Sequence, residues 1–147
     1  MRVVLAVTFV SLAFTYFELD IVRAEEKSCK QVMADLTKRQ LGGISACGKS
    51  LKFKNGKDKA KKMNCILKCV MTNEKVLNAE GYFDATQLDA LIIKEFPPYL
   101  HEKANASFMP CSEKGATIDP NPETDEFCKS YDPFIKCLLG SLPTLCG

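Results

Sequence analysis

The sequence predicts an all-α protein of about six short, mostly amphipathic helices that are crossed by disulfides. Apolar residues recur at helical spacing along most of the chain, and no stretch shows the sustained two-residue alternation of a strand. All eight cysteines follow an N-terminal stretch with the features of a secretory signal. An even number of cysteines in a secreted chain indicates disulfides, but spacing alone does not choose the pairs.

Residues 1–24 are predicted to form a secretory signal peptide, and residues 25–147 a single helical domain. Arg2 gives the start of the chain a positive charge, residues 3–17 are mostly apolar, and Ala24 closes a suitable cleavage site. The apolar run is short for a membrane span, which needs about 20 residues, although an uncleaved anchor is the alternative. A cleaved signal predicts a secreted, extracellular protein.

The first half of the domain contains two predicted helical regions. A helix over residues 25–40 begins with Ser28 as its cap, and Gly42-Gly43 is expected to break it before a short segment over 44–53. A central helix runs from about Asp58 to Leu77 and is stopped by Glu80-Gly81. Its cysteines at positions 65 and 69 share one face, so each is expected to bond to a different neighbouring segment.

The second half is predicted to contain three further helices. Asp84 or Thr86 caps a helix that ends at Pro97-Pro98. The next covers residues 99–113, with Pro110 kinking or ending it. After a loop over 114–125, the last helix begins near Pro122, and it is expected to bend at Pro133 and end at Gly140.

The sequence contains no convincing motif for catalysis, metal binding or nucleic-acid binding. It therefore predicts a protein that is not an enzyme and has no cofactor or metal. A net charge of +2 is too small to indicate nucleic-acid binding. One histidine and a single Cys-x3-Cys pair do not make a zinc site. Residues 43–50 match the sequence pattern of a phosphate-binding loop, Gly-x4-Gly-Lys-Ser. Such a loop follows a buried strand, and the residues before position 43 are too polar for one, so the match is attributed to chance.

Three smaller features carry alternative interpretations. His101 is a candidate pH switch, because the reference pKa of a histidine side chain is about 6.5. The alternative is that His101 is a simple surface imidazole. Asn105 begins the sequon Asn-Ala-Ser and is a glycosylation candidate in a secreted chain, or it stays unmodified if its segment is a packed helix. A cluster of lysines indicates either a solvated loop, which is favoured, or a contact with an anionic surface; it comprises Lys49, Lys52, Lys54, Lys57, Lys59, Lys61 and Lys62.

The cysteine spacing resembles that of the insect odorant-binding proteins, the family that binds pheromones and general odorants. Cys65-x3-Cys69 is followed by 41 residues to Cys111, 16 to Cys128 and eight to Cys137. Two additional cysteines make this chain similar to an eight-cysteine variant. The resemblance covers essentially all of residues 25–147 and implies six helices around an apolar pocket.

The family's disulfide pattern implies Cys65–Cys128 and Cys111–Cys137 by position. Cys69 is then expected to pair with either Cys47 or Cys29. Cys47 is preferred, because the 22 residues before it in the predicted domain can hold the family's first helix. Cys29 and Cys146 then form an additional disulfide between the two ends of the predicted domain.

The resemblance implies a secreted carrier that binds and solubilises small hydrophobic ligands such as odorants, pheromones or similar semiochemicals. It implies a small apolar ligand and a membrane odorant receptor as partners, no nucleic acid, a monomer or weak homodimer, and a location in sensillum lymph or another body fluid. Tyr82, Tyr99, Tyr131 or Ser107 is expected to orient the ligand. The pocket is predicted to be lined by Met71, Phe83, Leu88, Leu91, Ile92, Phe96, Tyr99, Phe108, Met109, Phe134 and Leu138.

A second hypothesis uses the same scaffold for another purpose. The protein is then a secreted, non-olfactory interaction protein, such as a venom, salivary or seminal component that binds a macromolecule. A packed centre and an exposed apolar or basic patch, such as the lysine cluster, distinguish this hypothesis from the carrier.

Overall fold

The all-α prediction is confirmed by a computed structural model that describes residues 26–121 and 123–147. The predicted signal peptide, residues 1–24, lies outside these described residues. The α-helices are α1 (Cys29–Ser50), α2 (Gly56–Lys61), α3 (Met63–Asn73), α4 (Ala85–Glu95), α5 (Pro98–Phe108), α6 (Ser112–Gly115) and α7 (Asp132–Ser141). Short 3₁₀ helices cover Met109–Cys111, Lys129–Tyr131 and Leu142–Cys146. The described residues contain no strand, only an isolated bridge between Leu77 and Phe83.

Polar caps fix the starts of α1 and α4, as the sequence predicts. Ser28 accepts a hydrogen bond from the Gln31 amide, and the Gln31 side chain in turn accepts one from the Ser28 amide at 2.8 Å. Asp84 accepts hydrogen bonds from the Thr86 hydroxyl at 2.6 Å and the Thr86 amide at 2.8 Å. These hydrogen bonds, the hydroxyl's first, hold the pKa of the Asp84 carboxyl below its usual value.

The prediction that Gly42-Gly43 breaks the first helix is wrong, because α1 runs unbroken from Cys29 to Ser50. A glycine costs a helix about 1 kcal/mol relative to alanine, and packing offsets a cost of that size. α1 packs along α3, and the Cys47–Cys69 disulfide joins the two helices. At Gly43 an added Cβ atom would lie 3.4 Å from a methyl of Val70, which is an ordinary van der Waals contact between α1 and α3.

Gly42→Ala is expected to raise the free energy of unfolding by about 0.5–1 kcal/mol, because position 42 is helical and nothing lies within 4 Å of an added Cβ. Gly81→Ala is the contrasting variant. Gly81 has φ +94°, and a Cβ there would lie 2.6 Å from the Tyr131 hydroxyl, so stability should fall. Urea unfolding of both variants measures the difference. A loss of stability in Gly42→Ala would contradict the account of α1.

The predicted central helix is two helices. Lys62, with φ −99° and ψ 23°, separates α2 from α3, and Asn55 rather than Asp58 caps α2 by accepting a hydrogen bond from the Asp58 amide. α3 ends at Asn73, earlier than predicted, and Lys75 adopts a left-handed φ of 64°. The chain therefore turns before Leu77.

Two predictions about the last helix are also wrong, that of its start and that of a bend at Pro133. The last helix begins at Asp132 and not near residue 122, which lies outside the described residues. Pro133 therefore sits in the first turn, where a missing N–H costs nothing, and it does not bend the helix interior. Gly140 lies inside α7, which ends one residue later. The helix predicted over 99–113 ends at Phe108, and Pro110 lies in the 3₁₀ turn that follows, so the expectation that Pro110 kinks or ends this helix is confirmed.

The hydrophobic core consists of two clusters of buried residues. The α4–α5 cluster contains Val32, Leu88, Ile92, Phe96, Leu100, Ala104, Phe108 and Leu145. The α7 cluster contains Met71, Val76, Leu77, Cys111, Ile118, Tyr131, Phe134 and Ile135. Phe83 and Leu138 pack against both clusters. Buried residues of both clusters also line one cavity, which lies between them.

Four disulfides tie the helices together, and all eight cysteines are bonded. The bonds are Cys29–Cys146, Cys47–Cys69, Cys65–Cys128 and Cys111–Cys137. These are the pairs that the resemblance implies, and Cys69 is bonded to Cys47 rather than to Cys29. As expected, Cys65 and Cys69 of α3 form disulfides with two different segments of the chain.

Candidate functional site

The space between the two core clusters is a cavity of about 180 Å³. Seven of its lining residues are buried and belong to the clusters: Met71, Val76, Leu88, Ile92, Phe96, Phe108 and Ile135. Half-buried aliphatic side chains continue the wall: Leu36, Ile44, Leu67, Val70, Leu91, Leu138 and Leu142. α1, α3, α4, α5 and α7 all contribute, so the cavity lies at the centre of the bundle.

The cavity has an exposed rim, which provides an entrance. Arg39, Glu74 and Leu139 line it with exposed side chains, and Gln40 is half-buried beside them. The interior is thus apolar and the rim mixed, which is the usual character of a site for a small apolar molecule. An apolar cavity of about 150 Å³ in another protein stays dry and binds benzene. A ligand the size of one aromatic ring or a short aliphatic chain therefore fits inside.

The structure brings most of the predicted pocket residues to this cavity. Met71, Leu88, Leu91, Ile92, Phe96, Phe108 and Leu138 line it. Their positions follow from helical periodicity, because α4 presents Leu88, Leu91 and Ile92 on one face.

Four predicted pocket residues do not line the cavity. Phe83 and Phe134 pack edge to face at 4.8 Å between ring centroids; Phe134 belongs to the α7 cluster, and Phe83 packs against both clusters. Met109 packs against the α4–α5 cluster from the 3₁₀ turn. Tyr99 is exposed, and its hydroxyl donates a hydrogen bond to the Lys27 carbonyl at 2.6 Å. Phe83, Phe134 and Met109 therefore serve the packing of the core, whereas Tyr99 makes a hydrogen bond at the surface.

The predicted polar orienting groups also lie elsewhere. Tyr82 is exposed, and Ser107 faces Thr144, with 3.5 Å between the hydroxyl oxygens. Tyr131 is buried and donates a hydrogen bond to the Gly81 carbonyl at 2.9 Å. Burial raises the pKa of Tyr131 to about 12, so the hydroxyl stays neutral and structural.

Glu95 is a further polar residue of the cavity lining, and sequence reasoning missed it. Its side chain is 5% exposed, although it is the last residue of α4. Arg39 forms an ion pair with Oε2, and Lys94 Nζ lies 3.1 Å from Oε1. Glu95 and Arg39 also line an open groove of about 840 Å³ that faces solvent between α1 and Pro97-Pro98. The ion pair therefore separates the apolar cavity from a charged outer groove.

The two candidate modification or switch residues lie on α5, away from the cavity lining. His101 Nε2 is 2.7 Å from the Phe96 carbonyl, which requires the proton on Nε2. Asn105 is half-buried within the helix, and its Oδ1 is buried without a hydrogen-bond partner. That placement disfavours access of a glycan to its side chain.

The lysine cluster lies on the surface around α2. Lys49, Lys52, Lys54, Lys57, Lys59 and Lys61 are exposed, whereas Lys62 lies within ion-pair distance of Asp58 and Glu126. Residues 43–50, which match the sequence pattern of a phosphate-binding loop, lie within the continuous helix α1 and therefore form no loop.

No known family model, curated protein or solved structure matches this chain. In the part of the chain that the structure describes, no helix is long and apolar enough to cross a membrane. Within the same residues, no group of three or more His, Cys, Asp or Glu side chains is placed to hold a metal ion.

Proposed function

We propose that the protein is a secreted carrier that binds and solubilises a small hydrophobic ligand, such as an odorant, a pheromone or a similar semiochemical, in extracellular fluid. The observation that carries this proposal is the apolar cavity between the two core clusters. A packed core normally leaves few voids larger than a water molecule. A central cavity with an apolar wall and an exposed rim is best explained as a place for a ligand.

The disulfides support the same proposal. Four bonds among eight cysteines suit an oxidising extracellular fluid, and each bond contributes about 2–4 kcal/mol to stability. That stabilisation offsets the packing energy lost to a hollow centre. The pairing is the one that the resemblance to insect odorant-binding proteins implies.

The cavity volume sets the affinity that burial can provide. A one-ring ligand that loses about 200 Å² of apolar surface to the cavity gains about 5 kcal/mol before the entropy of association is subtracted, so a Kd of about 0.2 mM is the tightest that this burial allows. A ligand that extends through the rim along Leu139 buries more surface, and one burying 300–400 Å² approaches a Kd of about 1 µM.

The test begins with expression of the full chain in a secretory host and recovery of the disulfide-bonded protein. Titration with the fluorophore 1-aminoanthracene, followed by competition with volatile alcohols, esters and fatty acids, measures binding at about pH 7 and about pH 5, on either side of the histidine reference value. Saturable one-to-one binding with displacement is expected. A folded protein that binds neither fluorophore nor competitors contradicts the proposal.

The alternative, a secreted interaction protein, draws on the exposed lysine cluster around α2. Six exposed lysines in a short segment suit an anionic macromolecular partner. If ligand binding is absent but the protein binds heparin with an affinity that falls steeply with salt, the alternative replaces the carrier.

A further inference from the structure

The interior of the cavity offers a ligand no side chain to which it can form a hydrogen bond. The buried and half-buried apolar residues of its wall are aliphatic, apart from Met71 and the two phenylalanines Phe96 and Phe108. None of these side chains carries a hydroxyl, amide or charged group. Apolar cavities of this size stay dry, so water does not supply the missing partner. A polar group that enters the interior therefore loses its hydrogen bonds to water and gains none.

The polar residues of the lining belong to the rim. Arg39 and Glu74 are exposed, and Gln40 is half-buried beside them. The carboxylate of Glu95 is covered by its ion pairs with Arg39 and Lys94. A ligand therefore finds hydrogen-bond partners and water at the rim and only apolar side chains inside.

The charges at the rim are balanced. Arg39 and Lys94 are positive, and Glu74 and Glu95 are negative. A carboxylate or an ammonium group on the ligand would meet both signs of charge in equal number, so it would gain little attraction for the hydration that it loses. The Gln40 amide can both donate a hydrogen bond to a neutral group and accept one from it. The rim thus suits a neutral polar group.

We propose that the ligand is a neutral amphiphile with a single terminal polar group, such as a primary alcohol or an aldehyde. Its hydrocarbon end lies inside the cavity against Leu88, Ile92 and Phe108, and its polar group stays at the rim beside Gln40. This inference rests on the proposed carrier function and specifies its ligand class. Molecules with the polar group in the middle are disfavoured, because burial of that group without a hydrogen bond is costly.

The isomers 1-heptanol and 4-heptanol test the inference, because they differ only in the position of the hydroxyl. The hydroxyl of 1-heptanol can stay at the rim while its chain enters, whereas that of 4-heptanol is buried whichever end enters first. NMR titration of the disulfide-bonded protein measures affinities as weak as millimolar. After correction for the octanol–water partition coefficients of the two isomers, 4-heptanol is expected to bind about 5- to 100-fold more weakly.

Two valine variants show whether the cavity wall causes this preference. Val76 is 3% exposed and lines the cavity, so Val76→Thr adds a hydroxyl to the wall at nearly constant shape. The preference for 1-heptanol should narrow by about 2- to 10-fold, because the new hydroxyl can pair with that of 4-heptanol. Val32 is 6% exposed and lies outside the cavity lining, so Val32→Thr makes the same chemical change and should leave the preference unaltered. Thermal unfolding confirms that each variant is folded.

The outcomes separate the two proposals. If the isomers bind equally after correction, or if Val32→Thr narrows the preference as much as Val76→Thr, the inferred ligand class is overturned and the carrier function stands. The same holds if 1-aminoanthracene binds but neither heptanol does. If the folded protein binds none of these molecules, the carrier function fails, and the inference fails with it.

Discussion

Leu91→Trp is expected to weaken the binding of a one-ring ligand by about 100-fold or more, which is about 2.7 kcal/mol. Leu91 is half-buried on the cavity face of α4, so a larger side chain can enter the space that a ligand would occupy. An indole ring is about the size of the molecules that a cavity of this volume holds. The stability of the folded protein should stay the same or rise, because the substitution fills a void.

Ile93→Trp is the matched control for this change. Ile93 lies two residues away on α4, is 55% exposed and does not line the cavity. The chain contains no tryptophan, so each variant carries a single indole whose fluorescence reports its surroundings. Leu91→Trp should emit as a buried indole and Ile93→Trp as an exposed one. Ligand binding by Leu91→Trp that matches the unmodified protein would contradict the assigned site.

Removal of the Cys29–Cys146 disulfide is expected to lower the free energy of unfolding by about 2–4 kcal/mol. The bond joins residues 117 positions apart, and a loop of that length alone corresponds to about 5 kcal/mol in the chain-entropy estimate. The expected loss is smaller, because the other three disulfides already restrict the unfolded chain. The double variant Cys29→Ser with Cys146→Ser, unfolded in urea, measures it.

The same variant should also bind ligand less tightly. The disulfide holds the 3₁₀ helix Leu142–Cys146 against α1, and this helix supplies Leu142 to the cavity wall and Leu145 to the α4–α5 cluster. Tyr99→Phe is the control, since it removes only an exposed hydrogen bond to Lys27 near the same end of α1 and should cost less than about 0.5 kcal/mol. Unchanged stability of the double variant would show that the Cys29–Cys146 disulfide does not stabilise the folded protein.

The sequence predicted the features that depend on local chemistry and periodicity. Ser28 and Asp84 are caps because their side chains accept amide hydrogen bonds from the first helical turn. Leu88, Leu91 and Ile92 reach the cavity because helical spacing places them on one face. The disulfide pairs could not be predicted from spacing, and only the resemblance to a known family implied them.

Other features depend on tertiary packing and could not be predicted from local signals. Gly42-Gly43 reads as a helix break, yet α1 continues because α3 packs along it. Pro133 predicts a bend inside a helix, yet a separate 3₁₀ helix precedes it and α7 begins only at Asp132. Pro133 therefore lies in the first turn of α7. Large aromatic residues suggested a pocket wall, but Phe83 and Phe134 fill the core by packing against each other.

Glu95 shows why the polar part of the site escaped prediction. A glutamate followed by a phenylalanine and two prolines reads as an ordinary exposed helix end. Its burial depends on Arg39, which lies 56 positions earlier in the chain on α1. The one available signal was an acidic residue at the C-terminus of a helix, where the helix dipole disfavours it.

A crystal structure of the disulfide-bonded protein soaked with bromobenzene would show whether the cavity holds a small apolar molecule, because anomalous scattering locates the bromine atom. We expect a bromine peak in the cavity between the two core clusters, within contact distance of Met71, Leu88 and Ile92. A cavity that stays empty at a saturating concentration of bromobenzene, or bromine peaks on the surface alone, would contradict the carrier function.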